Sequence, residues 1–180
     1  PGVDVIVSGN LGPQGDGYNP DELLTPEVAA AYHRPQVESF AAAGADRVTL
    51  LTGTHTGEPI GIVHAAIAAG IPVVIAFTVE TDGRLPSGQP LHEAVAEVEA
   101  ATGGAVLHYG INCAHPDHFT GALLADPAVT KRITLLRANA SRMSHAELDA
   151  AEELDAGDPV ELGDMYAHLL ATHPDLQVLG

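Results

Sequence analysis

Residues 72–95, PVVIAFTVETDGRLPSGQPLHEAV, contain one complete unit of the pattern that decides the fold. The unit begins with an apolar run at 72–79, continues through a turn-rich loop at 81–91 and leads into an Ala-rich stretch. A nearly continuous apolar run is typical of a parallel strand that is covered on both faces. The segment therefore predicts a strand, a long loop and a helix, in that order.

The same alternation repeats five times along the chain, which indicates an α/β protein with a parallel sheet. By this pattern, strands are predicted at 3–9, 47–52, 72–79, 105–112, 133–139 and 176–180. Six strands in 180 residues suit a doubly wound open sheet, or most of an eight-stranded barrel, which needs roughly 250 residues. The pattern alone leaves both architectures open.

Local signals mark the ends of several helices. Helix starts are predicted at Thr25-Pro26, at Ser144 with Glu147 as a capping box, and at Asp158-Pro159. Gly70 is expected to end the helix that begins near Glu58. Pro35 lies inside the pattern of residues 26–43 and is expected to kink or split that helix.

Charge and composition exclude several classes of partner. Seven basic residues stand against 24 acidic ones, for a formal charge of −17, and such a chain repels phosphate backbones and anionic membrane surfaces. No window approaches the roughly 18 apolar residues that a membrane helix needs. We therefore expect neither nucleic acid nor membrane as a partner. A single cysteine makes no internal disulfide and no signal peptide is visible, so the expected location is cytoplasmic.

The glycine-rich stretch after the first predicted strand does not predict a nucleotide site. GNLGPQGDG at 9–17 lacks the Gly-x-Gly-x-x-Gly spacing, and no helix follows it at once. In either architecture the reactive groups belong at the carboxyl ends of the strands and in the loops that follow. The polar residues at those positions are Ser8, Asn10, Thr52, Thr54, His55, Thr78, Glu80, Asn112, Cys113, Arg137 and Asn139. Polar residues also return wherever a strand meets water, so only the whole set indicates a site.

The only cysteine lies in GINCAHPDHF at 110–119. Together with His115 and His118 it gives a Cys-x-His-x-x-His spacing, but Pro116 interrupts it, and His118 fits the first turn of the next helix. A lone cysteine is by default a small buried filler, and the functional alternative is a thiolate that binds zinc at a strand end. The other histidines in helical patterns are interpreted as surface or packing residues: His33, His64, His92 and His168.

Taken together, the motifs resemble the homocysteine S-methyltransferase family, zinc-dependent thiol methyltransferases built on an eight-stranded α/β barrel. The matching segments run in order along nearly the whole chain: GADRVTLLT (44–52), residues 72–95, GINCAHP (110–116), RANAS (137–141) and LQVLG (176–180). The resemblance implies a TIM-type (β/α)8 barrel, of which this chain covers about the last six strands. It also implies methyl transfer from a sulfonium or quaternary ammonium donor to a small-molecule thiol such as homocysteine, a step that yields methionine.

The resemblance implies a role for Cys113 as well. In the family, an Asn-Cys pair supplies the first of three zinc thiolates, and the other two come from a Gly-Gly-Cys-Cys-Gly segment after the last strand. Cys113 would then be a Zn²⁺ ligand, with the remaining ligands beyond Gly180 and with His115 and His118 as bystanders. Zinc held by thiolates lowers the pKa of a substrate thiol and presents it as a nucleophile.

The same resemblance suggests that residues 1–180 are a single barrel domain truncated at both ends, with the first two strands before Pro1. Open sheet edges would then favour self-association into a homo-oligomer. By position, Thr52, Thr78, Asn112 and Asn139 are expected to line the substrate pocket.

One position departs from the family pattern. Active members carry a glutamate that binds the substrate ammonium at the position of Leu51, and Glu58 lies too far along the next helix to replace it. An alternative hypothesis is therefore a non-catalytic or divergent barrel paralogue that binds a small molecule. An unrelated barrel lyase is disfavoured, because Lys131, the only lysine, precedes a strand.

Overall fold

Six parallel strands form one sheet in which each strand pairs with its neighbours in the sequence, in the order β1-β2-β3-β4-β5-β6. The computed structural model describes residues 2, 4–18 and 23–180. The elements are β1 Ser8–Leu11, α1 Pro26–Ala42, β2 Arg47–Gly53, α2 Gly57–Ala69, β3 Val73–Phe77, α3 Leu91–Thr102, β4 Val106–Asn112, α4 Pro116–Ala125, α5 Pro127–Thr130, β5 Ile133–Arg137, α6 His145–Ala150, α7 Pro159–Thr172 and β6 Val178–Leu179.

The strand order decides between the two architectures that the sequence pattern left open. In a doubly wound sheet the order reverses at a switch point, whereas here it runs in one direction throughout. Right-handed crossovers in one direction place the helices on one face, and consecutive helices do pack together, α1 on α2, α2 on α3 and α3 on α4. The result is a six-stranded half-barrel, which confirms the predicted TIM-type fold class.

The main core lies between the outer face of the sheet and these helices. Strand residues such as Leu50, Ile75 and Ile111 are fully buried there against helical residues such as Ile62 and Val95. Successive side chains of a strand point to opposite faces, so a second, smaller cluster lines the inner face of the half-barrel. It consists of Val74, Ala76 and Leu135, with Leu51 and Val178 packed against them.

The strand predictions hold except at the first strand. The predicted strand 3–9 is wrong in its bounds, since β1 is Ser8–Leu11 and residues 4–7 are not a strand; Val3 lies outside the described residues. The reason is that β2 begins at Arg47, which pairs with Ser8, so the residues before Ser8 have no neighbouring strand. Val5, Ile6 and Val7 are instead 74%, 64% and 57% exposed.

The helix signals also hold, with one exception. Thr25, Asp158 and the Ser144–Glu147 capping box cap their helices as predicted, and Gly70 ends α2 in the left-handed conformation. The predicted split at Pro35 does not occur, because α1 continues through it as one helix. The buried face of α1 continues on both sides of Pro35, with His33 before it and Val37 after it, and packing of α1 on α2 keeps the helix from splitting. Within the described ranges, no helix has the length and apolar character that crossing a membrane requires.

Candidate active site

The carboxyl ends of β2, β3, β4 and β5 meet at one rim of the half-barrel, because all strands are parallel and adjacent. Four of the five predicted site residues lie at these ends. Thr52 is the next-to-last residue of β2, Thr78 directly follows β3, Asn112 is the last residue of β4 and Cys113 comes after it. Asn139 follows β5 by two residues. The topology therefore brings the predicted set to one place.

Asn112 joins two strands that are not neighbours in the sheet. Its Oδ1 accepts a hydrogen bond from the backbone N–H of Thr52 at 2.8 Å, and its Nδ2 donates to Thr52 Oγ1, also at 2.8 Å. The side chain of Asn112 is 1% exposed, so both contacts are protected from water. A buried amide with both ends paired fixes the relative position of β2 and β4 across β3.

Cys113 sits within this network. Its Sγ lies 3.1 Å from Asn112 Nδ2 and 4.0 Å from Thr52 Oγ1. Cys113 and Thr52 are the non-glycine residues with positive φ in the described part of the chain, at 56° and 64°. The left-handed conformation costs about 1 kcal/mol for such residues, and it persists where surrounding contacts hold it, which is common at functional sites.

Tyr18 is a site residue that the sequence analysis missed. It lies in the loop after β1, and its phenol interacts with Cys113. Burial, together with this interaction, raises the pKa of the Tyr18 phenol well above its usual value, so the hydroxyl keeps its proton. No motif marks Tyr18 in the sequence, since it directly follows the glycine-rich stretch at 9–17, which does not predict a nucleotide site.

His145 is the second missed residue. It is the first residue of α6, and its Nε2 donates to the carbonyl oxygen of Cys113 at 2.7 Å. Its Nδ1 lies 3.0 Å from Oε1 of Glu80, and its ring lies against that of Tyr18, tilted by 36° with centroids 4.2 Å apart. Thr78 reaches the site only through His145, with 3.4 Å between Thr78 Oγ1 and His145 Nε2. The sequence signal at this position was the Ser144–Glu147 capping box, which predicts the start of a helix but gives no sign that His145 contacts Cys113.

Asn139 lies close to the cluster and is held there by its backbone. Its backbone N–H donates to the carbonyl of Ala114 at 3.0 Å. With Cys113, Glu80 and His145 it lines a small recess. A larger open pocket of ≈ 520 Å³ adjoins this recess and shares Glu80 and His145 with it.

The two histidines downstream of Cys113 have other partners. His115 caps α4, with its Nδ1 accepting from the backbone N–H of Asp117 at 3.2 Å, and burial lowers the pKa of its imidazole. His118 Nε2 lies 3.1 Å from the carbonyl of Arg142. The Cys-x-His-x-x-His spacing therefore does not form a local metal site.

The donor set of the described residues is too small for a zinc ion. Cys113 supplies one soft ligand, but nowhere among residues 2, 4–18 and 23–180 do three or more His, Cys, Asp or Glu side chains come close enough to hold a metal. Structural zinc has four ligands and catalytic zinc has three from the protein. The described residues therefore do not make a complete zinc site by themselves.

Glu58 has a structural role beside the site. It is 1% exposed, and its Oε1 lies 2.8 Å from His33 Nε2 and accepts from the backbone N–H of Gln14 at 2.7 Å. This pair ties the loop that carries Tyr18 to the first turn of α2. Of the two interpretations of His33, surface or packing residue, its burial supports the second.

Sequence comparison places the chain among methyltransferases. A family model described as homocysteine S-methyltransferase matches residues 2–169. A curated homocysteine S-methyltransferase from Escherichia coli (strain K12) is 33% identical over 128 residues, which are 66% of this chain and 40% of that protein. The matched part of the chain thus covers well under half the length of this relative.

Comparison with solved structures agrees on the fold. The crystal structure of the homocysteine methyltransferase MmuM from Escherichia coli, in its metallated form, superposes with a TM-score of 0.74 at 24% identity, covering 98% of this chain and 56% of that one. The apo form gives a TM-score of 0.70 at 23% identity, with 98% and 57% covered. At this identity the likeness is one of fold, and it extends over about half of the larger barrel protein.

Proposed function

Because the chain belongs to the homocysteine S-methyltransferase family, we propose that the protein containing it is an S-methyltransferase. It would move a methyl group from a sulfonium or quaternary ammonium donor to a thiol such as homocysteine, giving methionine in that case. Its partners are then small molecules, and its proposed location is the cytoplasm. A net charge of −17 helps to attract a cationic methyl donor.

The observation that carries the proposal is the placement of Cys113. Its sulfur lies at the carboxyl end of β4, on the rim where barrel enzymes carry their chemistry, and it touches Asn112 and Thr52 rather than the aliphatic core. A cysteine that only filled space would pack among apolar side chains. Cys113 is half-buried and faces polar donors instead, as a metal-binding thiolate does.

We propose Cys113 as one ligand of a Zn²⁺ ion whose other ligands come from outside the described residues. The chain's own residues would then have supporting roles. Asn112 holds the sulfur through its amide, and Thr52 holds Asn112. Thr78 and Asn139 are proposed to border the substrate pocket, Thr78 through its contact with His145.

The test is metal analysis and methyl transfer on the full-length protein. Wild-type protein should retain about one zinc per chain and should methylate homocysteine from a sulfonium donor such as S-methylmethionine or a quaternary ammonium donor such as betaine. Cys113→Ser should lose both properties. His118→Gln is the matched control, since it removes the other potential ligand of the same segment, and it should retain zinc. Zinc content that is unchanged in Cys113→Ser would refute the metal assignment.

A second candidate function rests on Leu51. This residue packs against the apolar cluster of Val74, Ala76 and Leu135 on the inner face, so it offers no partner for a substrate ammonium. A divergent paralogue that binds a different thiol, or another small molecule without catalysis, is therefore the alternative. Leu51→Glu separates the two: a gain of homocysteine methylation would favour the divergent enzyme, and a stable full-length protein that is inactive with every thiol would favour the binding protein.

A further inference from the structure

His145 contacts the candidate metal ligand through the backbone. Its Nε2 is 2.7 Å from the carbonyl oxygen of Cys113, a short and therefore strong hydrogen bond between residues 32 positions apart in the sequence. The side chain of His145 is 8% exposed, so water does not compete for this contact. The carbonyl of Cys113 is thus held from a different element, α6, than the one that carries the cysteine.

The orientation of the imidazole is itself determined on three sides. Oε1 of Glu80 lies 3.0 Å from Nδ1, the hydroxyl of Thr78 lies 3.4 Å from Nε2, and the ring of Tyr18 lies against the imidazole in a tilted contact, with centroids 4.2 Å apart. A ring fixed in this way has little freedom to follow a moving backbone. His145 is therefore a rigid donor rather than an adaptable one.

Cys113 needs such a donor because its backbone is in the left-handed region, with φ of 56°. Its N–H donates to the carbonyl of Arg137 at 3.0 Å, and its C=O accepts from His145. Both backbone groups of this residue are thus occupied by partners from outside its own strand. A non-glycine residue in this conformation relaxes to an ordinary φ when such contacts are removed.

We infer that His145, oriented by Glu80, is a positioning residue that holds Cys113 in its left-handed conformation and so keeps Sγ against the Asn112 amide. The inference rests on the proposed function for its purpose, since a fixed sulfur is what a metal ligand requires. Its geometry does not depend on a bound metal. Without His145, the Cys113 backbone relaxes and the sulfur moves out toward the pocket that Tyr18 borders.

The test is the rate at which Cys113 reacts with iodoacetamide in the full-length protein, freed of metal by a chelator, with the modified residue located by mass spectrometry. His145→Phe keeps an aromatic ring for Tyr18 but has no donor, and its Cys113 should react about three- to tenfold faster, the population change that follows from losing one hydrogen bond. His145→Gln places an amide N–H near the position of Nε2 and should restore a rate close to that of wild type. Glu80→Gln should give a smaller increase than His145→Phe.

His118→Phe is the control, since His118 binds the carbonyl of Arg142 and does not contact Cys113. It should react at the wild-type rate. A wild-type rate in both His145→Phe and Glu80→Gln, or an equal increase in His145→Phe and His118→Phe, would overturn the positioning role. Because the protein is metal-free in this assay, a failure of zinc retention in the earlier experiment would count against the proposed function alone.

Discussion

Asn112 and Thr52 exchange two hydrogen bonds of 2.8 Å although they are 60 residues apart in the sequence and lie on strands separated by β3. The amide of Asn112 thereby contacts the backbone N–H and the hydroxyl of Thr52 and, at the same time, the sulfur of Cys113. This single side chain contacts both non-glycine residues of positive φ in the described part of the chain. It is the structural centre of the candidate site.

Replacing Asn112 with Ala should therefore destabilise the protein and loosen the site together. The buried N–H of Thr52 loses its acceptor, which costs about 1–3 kcal/mol. Urea unfolding should show this loss in the free energy of unfolding. Asn10→Ala, an exposed asparagine on β1, is the control and should change that free energy by less than about 0.5 kcal/mol. Equal effects of the two substitutions would contradict the central role of Asn112.

Gly61 is where α2 comes closest to α1. A Cβ at this position would lie 2.5 Å from the carbonyl oxygen of Pro26 and 2.6 Å from Cβ of Ala29, and the backbone of α1 cannot move aside easily. Gly61→Ala should lower the free energy of unfolding by about 1–3 kcal/mol. Gly121→Ala in α4 meets nothing within 4 Å and should instead stabilise the helix, by about 0.5–1 kcal/mol. Stabilisation by both substitutions in urea titrations would show that the two helices are not in close contact.

His55 predicts a dependence of stability on pH. Burial lowers the pKa of its imidazole, against the opposing effects of the Glu58 charge and the Leu24 carbonyl. The unfolded chain then binds a proton more readily than the folded one, so this contribution to stability is present above about pH 6.5 and is lost as the pH falls through the lower folded pKa. The urea midpoint should thus fall between pH 7.5 and pH 5, and His55→Gln should reduce that fall. His64→Gln, at an exposed position of α2, should leave the pH profile as it is in wild type.

The outer edge of β1 and the exposed residues before it predict self-association of the 180-residue polypeptide. Among the residues that the structure describes, β1 pairs only with β2, and Val5, Ile6 and Val7 precede it with most of their surface exposed. An unpaired edge beside an apolar segment is a template for pairing with a second chain. Sedimentation velocity should show species larger than a monomer, and Ile6→Lys should shift them toward the monomer. Val160→Lys, at an equally exposed position on α7, should not; a monomer in the unsubstituted polypeptide would contradict the prediction.

The regular elements were largely predictable because their signals are local. Apolar runs of strand length, the Ser144–Glu147 capping box and Gly70 at a helix end each depend on a few consecutive residues, and all appear in the structure. The first strand was misplaced because a strand also needs a partner, and β2 offers none to the residues before Ser8. α1 does not split at Pro35 for a similar reason. Proline lacks the backbone N–H that a helical hydrogen bond needs, but packing of α1 on α2 outweighs the loss of that bond.

The candidate site was predictable only in part. A cysteine after a strand, preceded by asparagine, and polar residues at other strand ends followed from the sequence, because parallel strands bring their carboxyl ends together. Tyr18, Glu80 and His145 form the surroundings of Cys113, yet the last two are 65 positions apart and no spacing rule links them.

The sequence by itself determined the alternation of strands and helices, the family and the candidate metal ligand, because each depends on short segments. Only the tertiary structure decided that the sheet is a half-barrel rather than a doubly wound sheet, and that Cys113 is held by Asn112 on one side and His145 on the other. The physical reason is that strand order and hydrogen bonds between distant residues depend on how the elements pack, and packing is a property of the whole chain.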